Sequence, residues 1–100
     1  MTPSMLRKIA RETASRFENR HHFPINPAAL DVVVSKALPH LGDVSEGLAK
    51  GEITTLFIRD SIYIILFNAW TVARERERRA IGEDTVAESM RRYCPYLWWC

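Results

Sequence analysis

One hundred residues suffice for one domain with a single modest core, because a chain of this size buries only about two-thirds of the surface that its unfolded form exposes. With 47% apolar and 26% charged residues, the composition is that of a folded chain and excludes an intrinsically disordered one. The formal net charge is only +2, too weak a whole-molecule field to draw the protein onto nucleic acid or membrane, so any electrostatic function is local.

The longest apolar run, Ile62 to Phe67, lies between Asp60 and Asn68 and falls far short of the roughly twenty residues that a membrane span needs. No transmembrane helix and no membrane partner are expected. The stretch from Met1 to Lys8 has no uninterrupted apolar segment ahead of Arg7, Lys8 and Arg11, so no signal peptide is visible and a cytoplasmic setting is expected. Cys94 and Cys100 are too few for a secreted disulfide framework, which fits a reducing compartment.

The first element is a helix over Pro3 to Arg20. Leu6, Ile9, Ala10, Thr13, Ala14 and Phe17 recur at intervals of three and four, while Arg7, Lys8, Arg11 and Glu18 fall elsewhere. Thr2 can cap it, and Pro3 suits the first helical position, where a missing N–H costs nothing. His21 to Ile25 breaks the period as a connector, since Pro24 disfavours helical geometry at Phe23. Asn26 and Pro27 then start a short helix carrying Leu30, Val33, Val34, Ala37, Leu38 and Leu41, which Pro39 kinks or ends and Gly42 closes. Val32, Val33 and Val34 in succession leave a strand reading open. Asp43 and Glu46 resemble a capping box ahead of a weak turn of helix. No internal repeat and no low-complexity tract shows in the residues.

From Ile53 to Arg79 the pattern predicts a long helix on Leu56, Phe57, Ile58, Ile62, Ile65, Leu66, Ala69, Trp70, Val72 and Ala73. A buried strand over Ile62 to Phe67 is the alternative. The end of this helix is charged, with Glu75 and Arg79 at the favourable i,i+4 spacing. Glu83 and Asp84 open a last helix that carries Val86, Met90 and Tyr93, with Ala87 and Cys94, inward, with Arg91 and Arg92 at its far end and Pro95 closing it. At 1.5 Å per residue the long helix would extend about 40 Å, whereas a compact domain of this length is about 30–35 Å across. Either the charged end of such a helix projects into solvent or a second copy covers its middle, and the all-round apolar stretch favours the second. A homodimer is expected, with Phe57, Ile58, Ile62, Ile65, Leu66 and Trp70 as its seam.

A short helix over Pro27 to Leu38, the long helix, and a final helix over Glu83 to Cys94 resemble the histone fold. The closest local likeness is Arg78, Arg79, Ala80, Ile81, Gly82, Glu83 and Asp84, a basic residue and a β-branched loop residue ahead of an acidic pair. The resemblance covers roughly residues 27–94 and implies a handshake dimer crossing at the long helices. The expected fold is thus all-α: short helix, long central helix, short helix, with an additional helix at the N-terminus. The segment from His21 to Glu52 holds only Lys36 and Lys50 as certain cations against Asp31, Asp43, Glu46 and Glu52. A histone-like shape therefore need not carry histone-like function.

No nucleophile turn, glycine-rich phosphate loop or paired acid and base is present, and no enzyme is expected. His21, His22, His40, Cys94 and Cys100 carry zinc-compatible atoms, but neither adjacent histidines nor two cysteines five residues apart make a structural zinc pattern, so no metal or cofactor is expected. Tyr96, Trp98 and Trp99 demand cover, from the chain's own core, a second subunit or another protein. Two functions compete. One is a non-enzymatic homodimeric module that binds protein through that aromatic terminus; the other is a small nucleic-acid-binding or regulatory protein using Arg7, Lys8, Arg11, Arg74, Arg78 and Arg79 on phosphates.

Overall fold

A computed structural model describes residues 3–37 and 55–92, and the structural statements below concern these. The chain is all-α: helices α1 (Pro3–His21), α2 (Pro27–Ala37), α3 (Thr55–Glu75) and α4 (Glu83–Arg92). The four helix starts and the end of α1 fall within two residues of the positions that periodicity and capping predict. The strand alternatives at Val32–Val34 and Ile62–Phe67 are overturned, since both segments are helical. Ala87, expected to face inward, is exposed, because one turn places it opposite the buried Thr85, Val86 and Ser89. Pro39, Leu41, Gly42, the Asp43 and Glu46 pair, Tyr93, Pro95 and the ends predicted at Leu38 and Cys94 lie outside the described residues.

The chief correction concerns the long helix. It ends at Glu75, not Arg79, because Glu77 adopts a left-handed backbone with φ 56°. The Arg78 N–H donates to the Ala73 carbonyl at 2.8 Å and the Glu77 N–H to the Arg74 carbonyl at 3.1 Å, the paired 6→1 and 5→2 bonds of a helix C-terminal cap. Arg and Glu are good helix formers, so nothing in their propensities announces this stop. Glu75 therefore never meets Arg79 across a helical turn. Its carboxylate instead accepts from Arg92 at 2.7 Å, tying the end of α3 to the end of α4. Twenty-one residues make a helix of about 31 Å, which fits within the 42 Å long dimension of the fold. A helix of this length needs no second copy to accommodate it.

As a whole, α3 is also long and apolar enough to cross a membrane by length and composition, with an 18-residue window of mean hydropathy 1.3. Counting only the uninterrupted run Ile62 to Phe67 missed this. Some 44% of that window is buried inside the fold, and the buried side chains share one face: Ile58, Ser61, Ile62, Ile65, Leu66, Ala69, Val72 and Ala73. That is the arrangement of a core helix.

The four helices form two like halves. In each, a long helix ends in a left-handed residue, His22 with φ 52° or Glu77 with φ 56°, passes through one extended residue, Ile25 or Ile81, and enters a short helix. The two isoleucines form an isolated parallel bridge, in which the Asn26 N–H donates to the Ile81 carbonyl at 2.8 Å and the Ile81 N–H to the Pro24 carbonyl at 2.9 Å. Like packs on like across the halves: α1 on α3 and α2 on α4, in addition to α1 on α2 and α3 on α4.

The interval of 56 residues between Ile25 and Ile81 also carries most of the burial pattern, with Ser61 and Val72, buried where Met5 and Arg16 are exposed, as exceptions. Leu6, Ile9, Ala10, Thr13, Ala14 and Phe17 map onto Ile62, Ile65, Leu66, Ala69, Trp70 and Ala73. Ala29, Val33 and Val34 map onto Thr85, Ser89 and Met90. Every member of both sets is buried or half-buried. Bulk alternates between the halves, Phe17 answering Ala73 and Ala14 answering Trp70, so the rings of Phe17 and Trp70 can meet edge to face at 6.0 Å between centroids. A repeat thus exists in burial and geometry although the residues themselves do not repeat.

Candidate interaction surface

The buried polar side chains of the described core are hydroxyls, and each has a local backbone partner. Thr13 donates to the Ile9 carbonyl at 2.7 Å, Ser61 to Phe57 at 2.8 Å and Ser89 to Val86 at 2.8 Å. Thr85 accepts from the Gly82 N–H and donates to the Gly82 carbonyl, both at 2.9 Å. Such bonds satisfy burial and leave no activated nucleophile. Among the described residues, no group of three or more His, Cys, Asp or Glu is placed to hold a metal ion.

The unusual chemistry lies on the outer face of α3. One turn is 3.6 residues, which places Leu56, Asp60, Tyr63, Ile64, Phe67, Trp70, Thr71 and Arg74 on the side opposite the buried face. Three of these are exposed apolar side chains: Leu56 at 62%, Phe67 at 43% and Ile64 at 36%. Phe67 sits at the centre of this face. It stacks edge-on to Trp70 at 5.5 Å and to His21 at 6.0 Å. The His21 ring lies 4.3 Å from Phe17 and 4.6 Å from Trp70, and its Nε2 shares a 2.6 Å hydrogen bond with the Tyr63 hydroxyl. The end of α1 therefore braces the aromatic side of the patch. Arg74 completes it with its guanidinium 4.9 Å from the Trp70 centroid, a cation–π distance.

The residues predicted to form a dimer seam divide. Ile58, Ile62, Ile65 and Leu66 are buried in the chain's own core, so they are not available to a second copy while this fold holds. Phe57 is half-buried, and Trp70, also half-buried, belongs to the outer patch. Sequence reasoning missed Leu56, Ile64 and Phe67 as the open apolar positions. A helix apolar on nearly every side gives no sign of which side its own subunit covers.

The basic residues do not gather into one described hollow. Arg7 and Arg11 line a cleft of about 580 Å³ with Leu30, Asp31 and Val34. Arg78 and Arg79 line another with Asn26, Glu83 and Asp84. Arg78 is paired with Asp84 at 2.8 Å, Arg74 covers Trp70, and Arg76 lies 3.8 Å from Glu88. Glu88 also receives Arg91, and Arg92 at 3.0 Å. The exposed Arg92 guanidinium is raised above its ordinary pKa, first by its hydrogen bond to Glu75 and then by that to Glu88. Lys8 and Arg79 are exposed. Tyr96, Trp98, Trp99, Cys94 and Cys100 lie outside the described residues.

No protein-family model, no curated protein and no solved structure matches the chain.

Proposed function

We propose that this protein is a non-enzymatic helical interaction module that works as a homodimer, with the outer face of α3 as its seam. The observation that carries this reading is the patch of Leu56, Ile64 and Phe67, left exposed on a helix whose opposite face is the core. Apolar side chains aligned on one face, rimmed by Asp60 and Arg74, are what a protein partner covers. Tyr96, Trp98 and Trp99 extend the proposal as contacts for a further protein.

The histone-like reading has some support. The order of α2, α3 and α4 is short, long, short, Ile81 lies in a parallel bridge, and Arg78 pairs with the first-turn Asp84. The packing of α1 on both α2 and α3 sets this chain apart from a plain three-helix arrangement. Dimerisation is tested by sedimentation at tens of micromolar. A mass of two chains supports the reading, and a single-chain mass overturns it.

Nucleic-acid binding is the second reading, and α1 favours it. Arg7, Lys8 and Arg11 are exposed, and none is in an ion pair among the described residues. Duplex binding that weakens steeply with salt would support it, because phosphate contacts release counterions. Its set is then Arg7, Lys8, Arg11, Arg74 and Arg79, rather than Arg78, whose charge is already paired with Asp84.

A further inference from the structure

The pattern of the α3 face specifies more than the existence of a seam. Asp60, Ile64, Phe67, Thr71 and Arg74 are spaced four, three, four and three, the 3.5-residue average at which two helices stay in contact over several turns at a shallow crossing angle. Asp60 lies seven residues before Phe67 and Arg74 seven after it. The charges are therefore placed evenly and with opposite sign about the central ring.

Resting on the homodimer reading, we infer that two copies meet antiparallel along α3 with Phe67 on the two-fold axis, each Asp60 facing the partner's Arg74. This operator lays Phe67 against the partner's Phe67, Ile64 beside the partner's Thr71 and Tyr63 beside the partner's Trp70. All of these side chains are exposed or half-buried within one chain, so they are free to be covered. The parallel alternative sets Asp60 on the partner's Asp60 and Arg74 on the partner's Arg74, placing like charges together twice. Moving the two-fold to Ile64 sets each Asp60 against the partner's Asn68 and leaves Arg74 beyond the contact. Only the Phe67-centred antiparallel register pairs both charges. Arg74 can make this contact while its guanidinium remains over its own Trp70 ring, 4.9 Å from the centroid. Arg59 and Glu75 lie on opposite flanks of the face, and Glu75 is already engaged by Arg92.

Charge exchange tests the register. Asp60→Arg and Arg74→Asp should each weaken self-association by about tenfold or more at low salt, since each places like charges together at both symmetry-related contacts. The double variant Asp60→Arg/Arg74→Asp should return to near the wild-type dissociation constant. An equimolar mixture of the two single variants should form a mixed dimer tighter than either alone, which also shows that both variants are folded. As a second measurement, Phe67→Cys in a Cys94→Ser/Cys100→Ser background should form a disulfide-linked dimer on mild oxidation, with cysteine at position 60 or 74 linking far more slowly. If the protein dimerises but the single variants bind as tightly as wild type, or the double variant stays weak, the register is overturned while the homodimer stands. If wild type is a monomer, both fall.

Discussion

Replacing Glu77 by glycine should stabilise the protein. The residue has φ 56°, a region in which a Cβ crowds the following carbonyl at a cost of about 1–2 kcal/mol. Both cap bonds that force this geometry come from the backbone, the Glu77 and Arg78 N–H groups, so glycine keeps them. The Glu77 side chain forms no ion pair among the described residues, so removing it forfeits no strong contact. Against the gain stands the extra freedom of glycine in the unfolded chain, about 0.4–1 kcal/mol. The net stabilisation is about 0.5–1 kcal/mol, or about 3–6 °C in Tm for a domain of this size. Thermal and urea unfolding followed by circular dichroism read the change, and Glu77→Ala serves as the control, expected to be no more stable than wild type. A Glu77→Gly protein that melts below wild type would refute the left-handed cap, and with it the end of α3 at Glu75.

The same argument applies to His22, with φ 52°, and His22→Gly should raise Tm by a similar amount, read in the same melts. Ile81→Ala should cost about 2–5 kcal/mol, because Ile81 is fully buried where the two halves bridge; a loss below about 1 kcal/mol in urea titration would argue against the bridge as a core junction. Tyr63→Phe removes the hydroxyl that bonds His21 and should cost about 1 kcal/mol, measured by the same titration. Arg78→Ala breaks a pair whose side chains are 56% and 46% exposed, so the loss should stay below about 1 kcal/mol and shrink further in salt.

Helix positions were legible in the sequence because they rest on local signals: Pro3 and Pro27 at helix starts, Glu83 and Asp84 opening the last helix, and three- and four-residue spacing throughout. The end of α3 was not legible, since the run from Arg74 to Arg79 reads as good helix and the turn at Glu77 uses no glycine. The bridge of Ile25 with Ile81 was hidden for another reason. Each isoleucine lies in a short connector, and what makes them a unit is a pairing across 56 residues that no local window contains. The repeat was masked by the exchange of bulk between halves, with Phe17 matched to Ala73 and Trp70 to Ala14. For the candidate surface, the sequence marked α3 as the helix that needs cover and placed Trp70 in its seam, but assigned four of the six seam positions to Ile58, Ile62, Ile65 and Leu66. The structure puts these inside the chain. The packing of α1 and α4 on α3 decides which face is left open.

Phe67→Glu, compared with wild type by sedimentation at tens of micromolar, tests the homodimer most directly. Fully burying a phenylalanine contributes about 1.5–3 kcal/mol. With 43% of Phe67 still exposed in one chain, covering it adds about 1 kcal/mol per copy, counted twice across a two-fold, and two facing carboxylates would add repulsion. Wild type should therefore sediment at twice the 11.6 kDa chain mass, and the variant at the chain mass with its helical signal unchanged. A wild-type protein at the single-chain mass, or a Phe67→Glu variant that dimerises as tightly as wild type, would contradict the account.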